Sequence, residues 1–325
     1  MKIKWLLLLI TTVYHLVATL LEERRIKPPG QLVDIGRHKL HLLTKGTGKY
    51  TVIIEHSLGG IDGYFLIEEL AKITRVCICD RAGYGWSEMS SKPRCSAEIV
   101  KELNTLLEKA EIEPPYILVG DSFGSYNVRL YASRYPEKVA GIILTEGLHE
   151  KAMLAMSWKL RVLQVFFWSG FIMSVLGSFL GLVRILGTIG CFEVLKKELR
   201  QFSPETLKRV KRSFYRPQHW LTMAREIWNL DASARQVREA TKISNIPLID
   251  IKSNTFLKRS PGTFLFPLQA ADRLRDEIHA ELLQLSSNSQ QMQASKSDHF
   301  VWIDEPEVII AAVREILTQL ERLEQ

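Results

Sequence analysis

"PYILVGDSFGSYNVRLYASRYP", residues 115–136, runs from an apolar stretch, through a hydroxyl placed between two glycines, into a segment of helical spacing. The part before Gly120 is short, apolar and partly β-branched, the composition of a buried strand. Gly120, Ser122 and Gly124 fit the spacing G-x-S-x-G, in which a sharp strand-to-helix turn holds a serine hydroxyl out at the carboxyl end of a sheet. Matches of this length arise by chance, so the weight lies in the strand before it and the helix after it. The competing reading is a glycine-rich turn with a capping serine.

Working outward, the same alternation recurs. "QLVDIG" and "HKLHLLTKG" read as a hairpin, "YTVIIEHSLGG" as a buried strand ending in a glycine-rich turn, "IDGYFLIEELAKI" as a helix and "RVCICD" as a strand. "SAEIVKELNTLLEKAEI" is expected to be a helix with Ser96 as N-cap and Glu98 in its first turn, and "AGIILTEG" another strand. Strands alternating with helices imply a mainly parallel sheet covered on both faces. The alternation stops near Leu148 and resumes with "IPLIDIK" near Ile246, so residues 148–240 read as an all-helical insertion. "DRLRDEIHAELLQL" is then a helix, "QMQASKSDH" a last strand with its loop, and "EPEVIIAAVREILTQLERL" a closing amphipathic helix begun by Pro306. The expected division is an N-terminal helix (1–27), a first core part (28–147), a helical cap (148–240) and a second core part (241–325).

Composition narrows the function classes. The chain has 325 residues, 46% hydrophobic and 24% charged, enough to bury a full core. A net charge of +7, with Lys and Arg spread along the chain, does not indicate a nucleic-acid partner. Four cysteines make no disulfide framework, and Cys77 and Cys79 share one face of a strand. No metal-ligand spacing occurs, and no metal or organic cofactor is expected.

"WLLLLITTVYHLVATLL", residues 5–21, carries no formal charge, follows Lys2 and Lys4, and precedes "EERRIK". No small-x-small cleavage site follows it, which favours an uncleaved single-pass membrane anchor over a signal peptide that yields a secreted product. Arg24, Arg25 and Lys27 balance the N-terminal charges, so orientation is undecided. An amphipathic or buried first helix is the remaining reading.

A serine hydroxyl is a weak nucleophile until a base removes its proton. Of the eight histidines, His299 alone lies between the expected last strand and the closing helix, where such a base belongs. A surface-loop histidine is the alternative.

At this point several ordered motifs coincide: "HSLGG" (56–60), "DRAGYGWSE" (80–88), "GDSFG" (120–124), "RLYASRYPEKVAGIILTEGLHE" (129–150) and "SDHFVWIDEPEVI" (297–309). Together they resemble an α/β-hydrolase of the α/β-hydrolase-1 type, and within it a membrane-anchored, bacterial-type serine hydrolase group that begins with an apolar helix and a "PPGQLVD-G-H-LHL" segment. The resemblance covers most of residues 28–320. It implies an eight-stranded, mostly parallel sheet with a helical cap inserted after strand 6, and a Ser122–His299–acid triad working through an acyl-enzyme. It further implies an oxyanion hole made by the backbone N–H groups of Leu58 and Phe123. His56 is expected to brace the oxyanion loop, in which Ser57 stands where a glycine is more usual. Asp80, Arg81, Gly83 and Gly85 are expected to be structural, with Tyr84 and Trp86 at a substrate entrance.

The acid departs from the common pattern. The strand "IPLIDIK" is followed by Ser253, Asn254 and Thr255, with no Asp. Glu146, at the end of the preceding strand, is the favoured acid, and Asp250, inside a strand, the second choice. Relatives that open epoxides or remove halides carry an aspartate where Ser122 stands, so the resemblance points away from them; Asp121, one place early, is expected to be a local hydrogen-bonding residue.

In the insertion, "VLQVFFWSGFIMSVLGSFLGLV" (162–183) is uncharged and long enough to span a bilayer. A span there would split one sheet across a membrane, so cap helices that line an acyl pocket or dip into the membrane surface are expected instead. The basic run "KKELRQFSPETLKRVKR" (196–212) offers either a contact with anionic head groups or a solvated helix face. The expected partners are a small apolar ester or lipid-like substrate and a membrane. The alternatives are a catalytically degenerate binding protein on this fold, or another triad reaction such as perhydrolysis or carbon–carbon bond hydrolysis.

Overall fold

The computed structural model describes residues 2–240, 243, 245–258 and 268–324, with the side chains of residues 2–4, Lys2 and Lys4 included, outside the description. The chain opens with α1 (Lys2–Arg25), then β1 (Gln31–Asp34), β2 (Lys39–Lys45), β3 (Thr51–Glu55), α2 (Gly63–Leu70), β4 (Arg75–Asp80), α3 (Ser96–Lys109), β5 (Tyr116–Asp121), α4 (Gly124–Arg134) and β6 (Val139–Thr145). Next come α5 (Glu150–Leu154), α6 (Trp158–Phe179), α7 (Leu182–Thr188), α8 (Cys191–Leu195), α9 (Pro204–Phe214), α10 (Pro217–Trp228) and α11 (Leu230–Arg238). The chain closes with β7 (Leu248–Ser253), α12 (Leu268–Leu282), β8 (Ser289–Ala294), α13 (Val301–Asp304) and α14 (Pro306–Glu324).

The eight strands form one sheet in the order β1-β2-β4-β3-β5-β6-β7-β8. The β1–β2 and β2–β4 pairs are antiparallel and all the others parallel. Strands β3 and β5 are buried along their whole length, as a sheet covered on both faces requires. Side chains alternate between two apolar layers. Ile53, Leu118 and Ile142 face α3, α4, α11 and α12. Ile54, Ile117, Val119 and Ile143 face α2 and α14.

From β3 the order runs one way through β4 and the other way through β5, so the loops that follow β3 and β5 diverge at the carboxyl edge of the sheet. Such a crevice is where an open α/β sheet binds its ligand. The helices between β6 and β7 lie over it and are tied to the core by buried polar contacts. Arg81 Nε and Nη2 each donate to Glu226 of α10 at 2.9 Å, and the Tyr84 hydroxyl donates to the same carboxylate at 2.7 Å.

The first turn of α3 corrects one expectation. Cys95, not Ser96, is the N-cap and makes no side-chain cap bond. The free N–H groups of Ser96 and Ala97 are taken by Ser233 Oγ (3.0 Å) and Gln236 Oε1 (2.8 Å) of α11. Donors capped by a distant helix leave no local signature.

Candidate active site

Ser122 occupies the turn between β5 and α4 with φ +48°, a left-handed conformation that non-glycine residues adopt at a cost. Neither flanking glycine carries that φ. Their role is close approach: a Cβ at Gly124 would lie 2.1 Å from the Glu55 carbonyl oxygen, and one at Gly120 2.6 Å from Val128. The Ser122 N–H donates to Thr145 O at 2.8 Å, which ties the turn to the end of β6.

His299 lies between β8 and α13, and its Nε2 is 3.1 Å from Ser122 Oγ. Its ring is boxed by Phe256, Phe300 and Trp302, with centroids 5.3, 5.7 and 5.9 Å away, and its N–H donates to Phe256 O at 3.1 Å. On the other side, Nδ1 is 3.3 Å from Glu146 Oε2. The three residues come from the ends of β5, β6 and β8, which the parallel register brings to one edge; Asp121 pairs with Thr145.

Glu146 is 2% exposed, with φ +46°. Three groups besides His299 converge on its carboxylate. The Ser253 N–H donates to Oε1 at 2.6 Å, Arg275 Nη1 to the same oxygen at 3.2 Å, and His279 Nε2 stands 3.3 Å from it, an ion-pair separation without a well-aligned hydrogen bond. Behind His279, Nδ1 meets the Asp250 carboxylate at 2.7 Å, and Gln291 donates to that carboxylate at 2.9 Å. Burial alone would push the Glu146 carboxyl up, but its contacts with His279 and His299 hold it well below the usual range. Burial would push His279 down, yet Asp250 and Glu146 raise it to about 9. The result is one chain of alternating charge and proton donors, Asp250–His279–Glu146–His299–Ser122. Asp250 is therefore not the partner of His299; it stands one histidine behind Glu146. His279 and Arg275 escaped the sequence reading because a helical His and Arg four residues apart look like any polar face.

The raised His279 value contributes stability that is complete below its ordinary 6.5 and is lost as pH rises through about 9. Urea unfolding across that range should show the full chain losing on the order of 3 kcal/mol from this group. His279→Gln should flatten that alkaline slope, and an unchanged slope would separate His279 from the network.

The loop expected to form the oxyanion hole follows β3. Among the described residues neither the Leu58 nor the Phe123 N–H donates to a protein acceptor, and Phe123 precedes the first turn of α4, where free N–H groups face an incoming anion. Ser57 turns its hydroxyl away to Asp62 Oδ1 at 2.9 Å, and its N–H also bonds that carboxylate. Arg81 donates to the carbonyls of His56 (2.7 Å) and Ser57 (2.8 Å). His56 accepts the Gly63 N–H at Nδ1, 3.0 Å away, and burial, then Arg81, pushes it down to about 3, so it stays neutral.

Asp80 accepts from His41 Nδ1 (2.9 Å), Tyr64 (3.0 Å) and the Trp86 N–H (3.0 Å), and a Cβ at Gly85 would lie 2.0 Å from its carboxylate. At Gly83, φ is +97° and a Cβ would meet Thr222 at 2.0 Å. Tyr84 and Trp86 do not border the cavity. Tyr84 is fully buried on Glu226, and Trp86 is held between His41 and Arg212, with Arg212 4.6 Å from its ring centre. The Asp121 oxygens are buried without a well-formed hydrogen bond, and burial together with Asp62 pushes its carboxyl well up against a weaker opposing contact with Thr145.

Ser122 opens into a cavity of about 420 Å³ whose walls are mostly apolar, including Met153, Leu163, Phe167, Phe171, Met223 and Ile227. Gln164, Arg275, Glu146 and His299 are among the few polar groups bordering it. Among the described residues no cluster of side chains suits a metal ion.

A family model described as alpha/beta hydrolase fold matches residues 50–175. An uncharacterized protein of Bacillus subtilis, YbdG, is 28% identical over 40% of this chain and 42% of its own length. An AB hydrolase superfamily protein of Gibberella zeae is 25% identical over 76% of this chain and 79% of its own. Among solved structures, the epoxide hydrolase CorEH superposes with a TM-score of 0.65 at 16% identity, covering 89% of this chain and 98% of that one. A putative lipase from Acinetobacter baumannii superposes with 0.64 at 16%, covering 95% and 97%. Sheet order, strand-to-turn placement and the family match agree, and the chain has the α/β-hydrolase fold.

Proposed function

We propose that the protein is a serine hydrolase of apolar carboxylic esters, with Ser122 as nucleophile, His299 as general base and acid, and Glu146 as the carboxylate that orients His299. The observation that carries this reading is the continuous contact from Ser122 Oγ to His299 (3.1 Å) and on to Glu146 (3.3 Å), opening on an apolar cavity.

In the proposed reaction His299 Nε2 takes the Ser122 proton as Oγ attacks the ester carbonyl carbon. The negative oxygen of the tetrahedral intermediate receives the N–H groups of Leu58 and Phe123, each worth roughly 3 kcal/mol in a water-poor site. Collapse expels the alcohol, which leaves with the proton held on His299. Water then repeats the sequence on the acyl-enzyme, and the carboxylic acid is released. Glu146, already charged, stabilises the imidazolium that forms twice in the cycle. The epoxide hydrolase neighbour shares the fold; the serine at the elbow is the reason to favour esters here.

A fluorophosphonate probe tests this. It should label the full chain once, at the peptide containing Ser122, and a long-chain ester should slow labelling more than its short-chain counterpart. Absence of labelling would leave a binding role for the cavity.

The N-terminal apolar helix supports membrane association, and we propose that it anchors the chain.

A further inference from the structure

We propose that α1 and the outward face of α6 form one docking surface for a bilayer containing anionic lipids, and that the ester reaches Ser122 from that bilayer past α6. The second clause rests on the serine-hydrolase reading; the first does not.

From Val162 to Phe179 helix α6 carries no charged residue and has apolar side chains on every side. Its inner residues Leu163, Phe167 and Phe171 border the catalytic cavity. Its outer residues Val162, Phe166, Met173 and Leu176 are each between 55% and 65% exposed. A helix with no polar face belongs in a core or in lipid, and here the protein covers only half of it. The hydroxyls on its length need no water: Ser169 and Ser174 each donate to the carbonyl four residues back at 2.9 Å.

Helix α1 is joined to this face rather than hanging free. Thr11, His15, Thr19 and Glu22 fall on one stripe, and that stripe is spent on the cap. Thr11 Oγ1 donates to Leu180 O at 2.7 Å. Arg184 of α7 bonds His15 Nδ1 (3.2 Å), Thr19 Oγ1 (3.0 Å) and Glu22 Oε2 (3.0 Å). Gly181, with φ +78°, permits the approach, since a Cβ there would lie 2.4 Å from Thr11 O. What α1 leaves outward is apolar: Leu6, Leu9, Ile10, Val13 and Val17.

Two features select the geometry and the lipid. Helix α6 enters one leaflet without crossing, because its other side packs on α10 through Phe171–Trp220 and Trp168–Trp228 ring contacts. Arg225 and Glu226 of α10 are bonded into core loops, and a crossing would drag those groups into hydrocarbon. Charge lies at the rim. Most of the basic run from Lys196 to Arg212 is used internally: Lys196 on Asp304 and Asp298, Arg209 on Glu205, Lys211 on Glu193, Arg212 over Trp86. Arg200 and Lys208 are exposed, have no ion pair among the described residues, and share a surface cleft with Ile26 and the exposed Ile189 and Val194. Cations beside protruding apolar side chains suit anionic head groups.

The test uses the full chain with Cys191→Ser and one new cysteine, Leu9→Cys, Met173→Cys or Lys101→Cys, carrying a fluorophore. Vesicles of phosphatidylcholine and phosphatidylglycerol carry doxyl-labelled acyl chains. Labels at positions 9 and 173 should be quenched by the doxyl lipid and shielded from iodide, and the label at 101 should behave oppositely. A label at 173 open to iodide while that at 9 is lipid-quenched would overturn the joint surface, leaving α1 as a simple tether. Equal binding to vesicles of phosphatidylcholine alone would overturn the choice of anionic lipid. Met173→Glu combined with Leu176→Glu should lower turnover of a vesicle-embedded long-chain ester by about tenfold while leaving a water-soluble short-chain ester within about twofold. Equal losses on both would overturn the delivery route, whereas no turnover of either ester, by variant and parent alike, would sink the hydrolase reading and leave the quenching result standing.

Discussion

Ser122→Ala should remove ester turnover down to a residual roughly four orders of magnitude or more below the parent chain, and remove fluorophosphonate labelling entirely. The effect is large because the site offers no substitute. The Ser57 hydroxyl, also at the cavity wall, is committed to Asp62 at 2.9 Å. The fold should survive, since alanine meets the same left-handed backbone as serine there and loses a single contact, the one to His299. Steady-state kinetics on a chain-length series of p-nitrophenyl esters, with urea unfolding as the control, measures both. Turnover retained at more than about a hundredth of the parent rate would move the nucleophile elsewhere.

Glu146→Gln carries the second largest effect, an expected fall in kcat of about 10³ to 10⁴-fold, with labelling slowed and not abolished. A neutral amide neither stabilises the imidazolium nor holds the Nδ1–H tautomer that leaves Nε2 free to accept the Ser122 proton. The same change leaves Arg275 and His279 beside an uncharged group, and breaking a buried pair in this way costs about 3–5 kcal/mol. Activity and stability should therefore fall together in Glu146→Gln. Because the Glu146 carboxyl is held low, its stabilising contribution is present above the ordinary carboxylate value and fades only as pH drops through its own depressed one. The variant should lack that acid limb. Asp250→Asn provides the contrast: its carboxylate touches His279 and not His299, so activity should fall by only about tenfold. If Asp250→Asn proved the more damaging change in kcat, the assignment of the acid would be reversed.

Much of this site is legible in the chain because the relevant information is local. The G-x-S-x-G spacing, the strand before it and the helix after it lie within about two dozen consecutive residues. His299 is found by position alone, between the last strand and the last helix. Glu146 is a harder case: sequence could rank it above Asp250 by its place at a strand end, but the two are separated by one histidine that only the packed structure inserts between them. How much of the basic run is left free was hidden for a related reason, since charge on a helix says nothing of whether an acidic partner arrives from a distant loop, as Asp304 does for Lys196.

By itself, then, the sequence determined the alternating α/β architecture, the serine turn, the late histidine and the two long apolar helices, all properties set by periodicity and by short-range backbone requirements. Tertiary structure alone decided which buried charges meet: Asp250 with His279, His279 and Arg275 with Glu146, Arg81 with Glu226. It also decided that the polar stripe of α1 is spent on Arg184 and Leu180. Those pairings join residues from about thirty to more than a hundred and sixty positions apart, and their strength comes from exclusion of water, which does not exist until the chain has closed around them.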